Sequence, residues 1–169
     1  MIRHNSYLLN IFSNLDARIR DNYFLYIRVV DPPLISSIRI KLIDENDQPP
    51  TFDISSIELS VLENESGYRT LGQIQATDGD IAYRNNRILY NRNDALTGNF
   101  ARARFDVQTN GTIWTNTTFV KGDNRTELYI TAFDEEPEWN SRGNLTADFP
   151  VSIRVVSTNN NYPRKYFKT

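Results

Sequence analysis

No cysteine occurs in the 169 residues. That absence removes a disulfide framework, a thiolate zinc site and a catalytic thiol at one stroke. Histidine occurs once, as His4 in the ragged N-terminal stretch, so a Ser-His-Asp triad has no well-placed base. No run of 18 apolar residues exists, which excludes a membrane-spanning helix within the sequence. Tyr7-Leu8-Leu9 is cut by Asn10 too soon to form the apolar region of a secretion signal. An excess of positive charge is also lacking. The 19 Lys and Arg face 21 Asp and Glu, for a net charge of −2. With a pI near 5.4, this argues against a nucleic-acid surface. No segment carries a sustained helical period.

What is present is alternation. Apolar residues make up 39% of the chain and aromatics 12%, enough to build a core. Alternating segments rich in β-branched and aromatic residues read as strands at Phe24–Val30, Ile35–Ile43, Ile54–Leu62, Thr70–Thr77, Arg87–Asn91, Leu128–Phe133 and Phe149–Val156. Asn110-Gly111 lies between Ala103–Gln108 and Thr112–Thr115, a hairpin signal because both residues tolerate positive φ. Turn signals at about ten-residue intervals predict an all-β antiparallel sandwich, with about seven strands between Pro50 and Pro163. Before Asp44 there are two clear strands and a remnant, Ser6–Phe12. So few strands cannot cover their own apolar face, so the first unit is expected to be the tail of a domain that begins earlier.

Between the two units lies Asp44-Glu45-Asn46-Asp47-Gln48-Pro49-Pro50. Oxygen-bearing side chains this dense repel one another unless a hard cation sits among them. The prolines forbid a helix and hold the segment extended. A solvated turn is the plainer reading of the same residues, since Asp, Asn and Pro are ordinary turn formers. An EF-hand is excluded. Counted from Asp44, the sixth and twelfth positions are Pro49 and Ser55, and counted from Asp78 they are Tyr83 and Leu89, instead of Gly and Glu.

Landmarks in order from about Leu15 to Pro163 resemble the cadherin repeat. Leu15-Asp16-Ala17-Arg18 is similar to the family's LDRE motif. Tyr23, Leu25, Ile27 and Asp31, followed by Ile40, Leu42 and the acidic linker, are similar to the end of one repeat. Leu62-Glu63-Asn64 and Ala76-Thr77-Asp78-Gly79-Asp80 resemble the short glutamate motif and the DxD motif of the next. Phe105-Asp106-Val107, Gly111-Thr112-Ile113 and Ala132-Phe133-Asp134 resemble its remaining landmarks. The resemblance implies immunoglobulin-like Greek-key sandwiches joined end to end, with calcium ions filling the joint. It divides the chain into residues 1–43, the C-terminal part of one repeat; 44–50, the calcium-binding linker; 51–157, a complete repeat; and 158–169, a degenerate linker and tail.

The resemblance also implies ligands. Calcium takes six to eight oxygens. The outer site would use Asn46, the backbone oxygen of Gln48, Asp78, Asp80, Asp134 and a backbone oxygen near Asn85, which aligns after a short insertion. A middle site would use Asp44, the backbone oxygen of Glu45, Asp47 and Asp80, with two glutamates from the first repeat. One of those would precede Met1, and the other position holds Arg18. The innermost site keeps only Asp16 and Asp47. One ion is therefore expected, with room for a second, in place of the family's three. At the far end Glu63 is retained, but Ser157 and Asn160 stand where the family has aspartates, so that joint is expected to be calcium-poor.

Asn64, Asn110, Asn116, Asn124 and Asn144 head N-x-Ser/Thr sequons, of which roughly three would arise by chance. All lie in the second unit and favour an extracellular address. Asn64 sits beside Glu63 near a strand. Trp114 and Trp139 read as packing residues, although Trp139, in the acidic loop after Asp134, could touch a partner. Arg164–Lys168 reads as the start of a strand or a frayed tail rather than a basic membrane tag.

The expected function is calcium-dependent cell adhesion, or rod-like spacing, on the outer side of the plasma membrane. Partners would be other cadherin-type ectodomains, with no nucleic acid and with membrane contact only through further parts of a larger protein. As written, the chain is not expected to be a whole adhesion receptor. Two alternatives remain at this point: a calcium-independent β-sandwich receptor domain, and a carbohydrate-active sandwich using Asp78 and Asp80. Two acids on one tight turn, however, do not flank a substrate as glycoside cleavage requires.

Overall fold

A computed structural model describes residues 9–30, 33–135 and 144–157. His4, Trp139, Asn160 and the 158–169 tail lie outside the described residues. β1 (Asn22–Val29) and β2 (Leu34–Lys41) form an antiparallel hairpin in unbroken register, from Asn22 opposite Lys41 to Val29 opposite Leu34. The expected third element is not a strand where it is described. Leu9–Phe12 has no place in this two-stranded sheet, and a strand without a ladder partner has nothing to fix it. Leu9 still lines an apolar groove of about 670 Å³ with Leu25, Ile27, Ile38 and Ile40.

After the linker come seven strands: β3 (Ile57–Leu62), β4 (Arg69–Gln73), β5 (Ile88–Arg92), β6 (Phe105–Val107), β7 (Thr112–Thr115), β8 (Thr126–Asp134) and β9 (Thr146–Val156). One sheet runs β3-β9-β8-β5 and the other β4-β7-β6, the two layers of an all-β sandwich. The antiparallel expectation fails at one place: β3 and β9 run parallel, from Ile57 opposite Val151 to Leu62 opposite Val156. They are the first and last strands of the unit, so the chain enters at one end of the sandwich and leaves at the other. A one-turn helix, α1 (Asn99–Arg102), is too short to have shown a period in the sequence. β3 starts three residues later than expected, after a bend over 53–55. β4 stops at Gln73 because the chain leaves β7 there, and Thr77 then bridges to Thr51.

Strand alternation builds the core. β8 turns Leu128, Ile130 and Ala132 inward, all fully buried, against Val151 and Ile153 of β9. Phe105 stacks on Phe119 at 5.3 Å and Phe149 lies 4.5 Å from Phe52. Each such side chain contributes about 1.5–3 kcal/mol by leaving water.

The Asn110-Gly111 hairpin forms, with a longer loop than a two-residue turn. Gly111 N donates to Gln108 O at 2.9 Å, and Gln108 N donates to Thr112 O at 2.9 Å. Only Gly111 takes positive φ (83°), while the Asn110 side chain accepts from Thr112 N at 3.0 Å. A Cβ on Gly111 would lie 2.4 Å from the Ile74 carbonyl oxygen. Gly111→Ala therefore meets both backbone strain and a backbone clash. Urea unfolding should show a loss of at least about 1–3 kcal/mol, whereas Gly98→Ala, at a site with open space, should not approach it.

Candidate functional site

The linker is delivered to its place by backbone bonds. Beyond Pro49-Pro50, Thr51 N donates to Thr77 O at 2.7 Å and Thr77 N donates back to Thr51 O at 2.8 Å. One residue earlier, Ala76 N donates to the Tyr90 hydroxyl at 2.7 Å. Burial holds that phenol's pKa above its ordinary value, so it stays neutral. These bonds fix the strand end just before Asp78. Gln48 then lies over Gly79, where an added Cβ would come within 3.1 Å of Gln48 Cγ. Gln48 N donates to Asp80 Oδ2 at 3.3 Å.

Three further segments meet the linker here. In the Asp78-Gly79-Asp80 turn, Asp80 N donates to Asp78 Oδ1 at 2.8 Å. The loop after it is gathered by Asp44, whose Oδ2 accepts from Ile81 N at 3.2 Å, Ala82 N at 2.9 Å and Asn85 Nδ2 at 3.0 Å. Asp134 arrives by strand periodicity: the alternation that buries Leu128, Ile130 and Ala132 also buries it at the end of β8. Its Oδ1 accepts from Leu145 N at 3.0 Å.

The result is a place rich in oxygen and short of positive charge. Asn46 and Asn85 are fully buried, and Asp80 nearly so. Neither polar atom of the Asn46 amide has a hydrogen-bond partner, nor do Asp78 Oδ2, Asp80 Oδ1 or Asn85 Oδ1. Native proteins rarely leave buried polar atoms in this state. Burial pushes the Asp78 carboxyl up, and the charges of Asp134 and Asp44 add to the shift. Burial likewise pushes Asp80 up to about 6, with Asp78, Asp44 and Asp47 adding repulsion and the Gln48 hydrogen bond opposing it. Two like charges 4 Å apart at an effective dielectric near 20 repel by about 4 kcal/mol. Among the described residues, no three acidic or histidine side chains already stand as a metal-ligand group. The donor set still fits a hard cation in kind, because carboxylates and buried side-chain amides together carry unpartnered oxygens of the sort calcium selects.

Other residues singled out in the sequence lie elsewhere. Asp47 is exposed and accepts from Gln48 Nε2 at 2.8 Å. Glu45 is exposed. Asp16 is engaged by Arg18. Glu63 is buried at the opposite end of β3 from the linker, where Ser157 Oγ donates to it at 2.7 Å. Asn64, in the turn beside it, has φ 65°. Like Asn110, Asn116, Asn124 and Asn144, it is exposed. Trp114 stacks on Tyr68 at 5.2 Å. Asp78 and Asp80 are bonded neighbours on one turn and do not face each other across a cleft. The sequence reading missed the Tyr90 hydroxyl and the Thr51–Thr77 clamp, neither of which has a local signal.

No protein-family model matches the chain. Protocadherin-19 of Danio rerio is 32% identical over 163 residues, 92% of this chain and 14% of the relative. Protocadherin-11 X-linked of Homo sapiens is 30% identical over 165 residues, 92% of this chain and 11% of the relative. The chain thus spans only a small fraction of the curated relatives it matches. Among solved structures, the extracellular domain of protocadherin gammaB4 superposes with a TM-score of 0.70 at 24% identity, covering 93% of this chain and 25% of that one. A mouse protocadherin-24 fragment, EC1-3, gives 0.71 at 20% identity, covering 85% and 47%.

The electrostatic deficit has a direct test. In chelator, Asp80→Asn removes a buried charge while its amide oxygen can still accept from Gln48 N. The variant should melt at a higher temperature than the wild type in EGTA at pH 7.5, followed by circular dichroism.

Proposed function

Since the chain belongs to the cadherin superfamily, which is not an enzyme family, we propose that it is a stretch of a cadherin-type ectodomain. In this reading it serves calcium-dependent cell adhesion on the outer side of the plasma membrane. Cadherin repeats bind calcium, and the observation that carries the reading here is the set of buried, unpartnered oxygens from the linker and the 78–85 loop. The proposed units are residues 1–43, the linker 44–50, the repeat 51–157 and the tail 158–169.

A calcium ion would supply the counter-charge these groups lack. Asn46, Asp78, Asp80 and Asp134 would hold it, with the backbone oxygens of Gln48 and of the segment near Asn85. We assign one such ion to the joint. A second, at Asp44, Glu45 and Asp47, is disfavoured because Asp44 Oδ2 already accepts three hydrogen bonds. Asp44 acts instead as the peg that holds the 81–85 loop in position. Gln48 N and the Thr51–Thr77 clamp hold the linker against that loop. With charge neutralised, the linker cannot lift away without exposing its ligands, so the hairpin and the sandwich move as one stiff piece. Partners would be other cadherin-type ectodomains, and Asn110, Asn116, Asn124 and Asn144, with Asn64 in its turn, would carry glycans.

Calorimetry with calcium on the 169-residue chain tests this. One ion per chain is expected, with a dissociation constant of about 10⁻⁵–10⁻³ M. Calcium at a hundred times that constant should add about 2.7 kcal/mol of stability and protect the linker from protease. Asp134→Asn should lose both effects. A wild type that takes up no calcium, with its linker cleaved equally in calcium and in EGTA, points to a calcium-independent sandwich domain instead.

A further inference from the structure

The inner half of the joint already holds a positive charge. Asp16 opens a tight turn, in which Ile19 N and Arg20 N both donate to its carbonyl at 3.2 and 3.1 Å. Its carboxylate accepts three bonds from Arg18: the backbone N at 2.8 Å, Nε at 3.0 Å and a terminal guanidinium nitrogen at 2.8 Å. The last two make a side-on fork, the geometry in which a guanidinium binds a carboxylate best. The other guanidinium nitrogen lies 3.7 Å from Asp47 Oδ1, in the linker. All three side chains line one cleft of about 280 Å³, which Leu42, Ile43, Asp44 and Glu45 also line.

We propose that the Arg18 guanidinium is the resident cation of the inner half of the joint, standing between Asp16 and Asp47 where a further metal ion would otherwise be needed. The joint then runs on two cations of different kinds. One is covalently part of the chain and always charged. The other is the exchangeable ion of the outer site. Arg18 ties the turn of the first unit to the linker in the absence of any metal, so chelation loosens only the outer half. An isolated exposed ion pair does little of this sort. Here a single guanidinium, about one third exposed, serves two carboxylates from separate stretches of chain, and its orientation is set by the Asp16 turn. The inference rests on the calcium reading for the identity of the exchangeable ion and is independent of it for the contact made by Arg18.

The test uses the 169-residue chain and two variants. In EGTA, Arg18→Gln should be cleaved within residues 44–50 about two- to fivefold faster than the wild type, the upper scale of one partly exposed ion pair. Arg18→Glu places a further carboxylate beside Asp16 and Asp47, and calorimetry should show it taking up one calcium ion more than the wild type. Linker cleavage of Arg18→Gln at the wild-type rate in EGTA overturns the proposal, even if the wild type binds calcium. If the wild type binds none while Arg18→Gln is cleaved faster, the calcium reading falls and this inference stands. Where the wild type does bind, an Arg18→Glu stoichiometry equal to the wild type's shows that the position is not a cation's, and overturns the proposal.

Discussion

Carboxylates held partly out of water must find positive charge, take up protons or move apart. The joint between the hairpin and the sandwich is organised around that demand. Asp44, Asp78, Asp80 and Asp134 approach from the linker, one turn and the end of β8, and burial with mutual repulsion lifts Asp78 and Asp80 above the ordinary carboxylate range. The chain spends several backbone N–H groups on them, from Gln48, Asp80, Ile81, Ala82 and Leu145. Hydrogen bonds ease the repulsion but leave buried oxygens of Asp78 and Asp80 unsatisfied. The remaining imbalance is what the proposed divalent ion would relieve.

The sandwich serves the site by ordinary means. Period-two alternation along β8 places hydrophobic residues in the core and, with one more step, an aspartate at the rim. Tyr90, a core residue of β5, spends its hydroxyl on the backbone just ahead of the Asp78 turn. Core packing and ligand placement are therefore not separable: a shift of β5 against β8 moves Tyr90, Ala76 and Asp78 together. At the opposite end the buried carboxylate of Glu63 accepts a hydrogen bond from the hydroxyl of Ser157.

Much of this was legible in the sequence because its signals are local. Alternation located every strand to within a few residues, Asn110-Gly111 marked its hairpin, and the acidic linker with Asp78-Gly79-Asp80 marked the candidate site. The parallel pairing of β3 with β9 was not legible, because it joins segments about ninety residues apart and β3 alternates in burial as a half-buried antiparallel strand does. The contacts made by Asp44 and Arg18 were hidden for the same kind of reason. Composition shows an aspartate and an arginine, but only the folded backbone shows that one carboxylate pegs a loop and that one guanidinium forks onto Asp16 and reaches toward Asp47. The length of the Gln108–Thr112 loop was missed because Asn and Gly suit several turn types.

The parallel register of β3 and β9 has a mechanical consequence. A load applied along the chain enters near Ile57 and leaves near Val156, so it draws the two strands in opposite directions along their shared length. Hydrogen bonds between them are then loaded side by side and must fail as a group. Pulled from one end of a hairpin, the same bonds would open singly like a zip. Shear applied along the chain meets the combined resistance of the whole β3–β9 ladder.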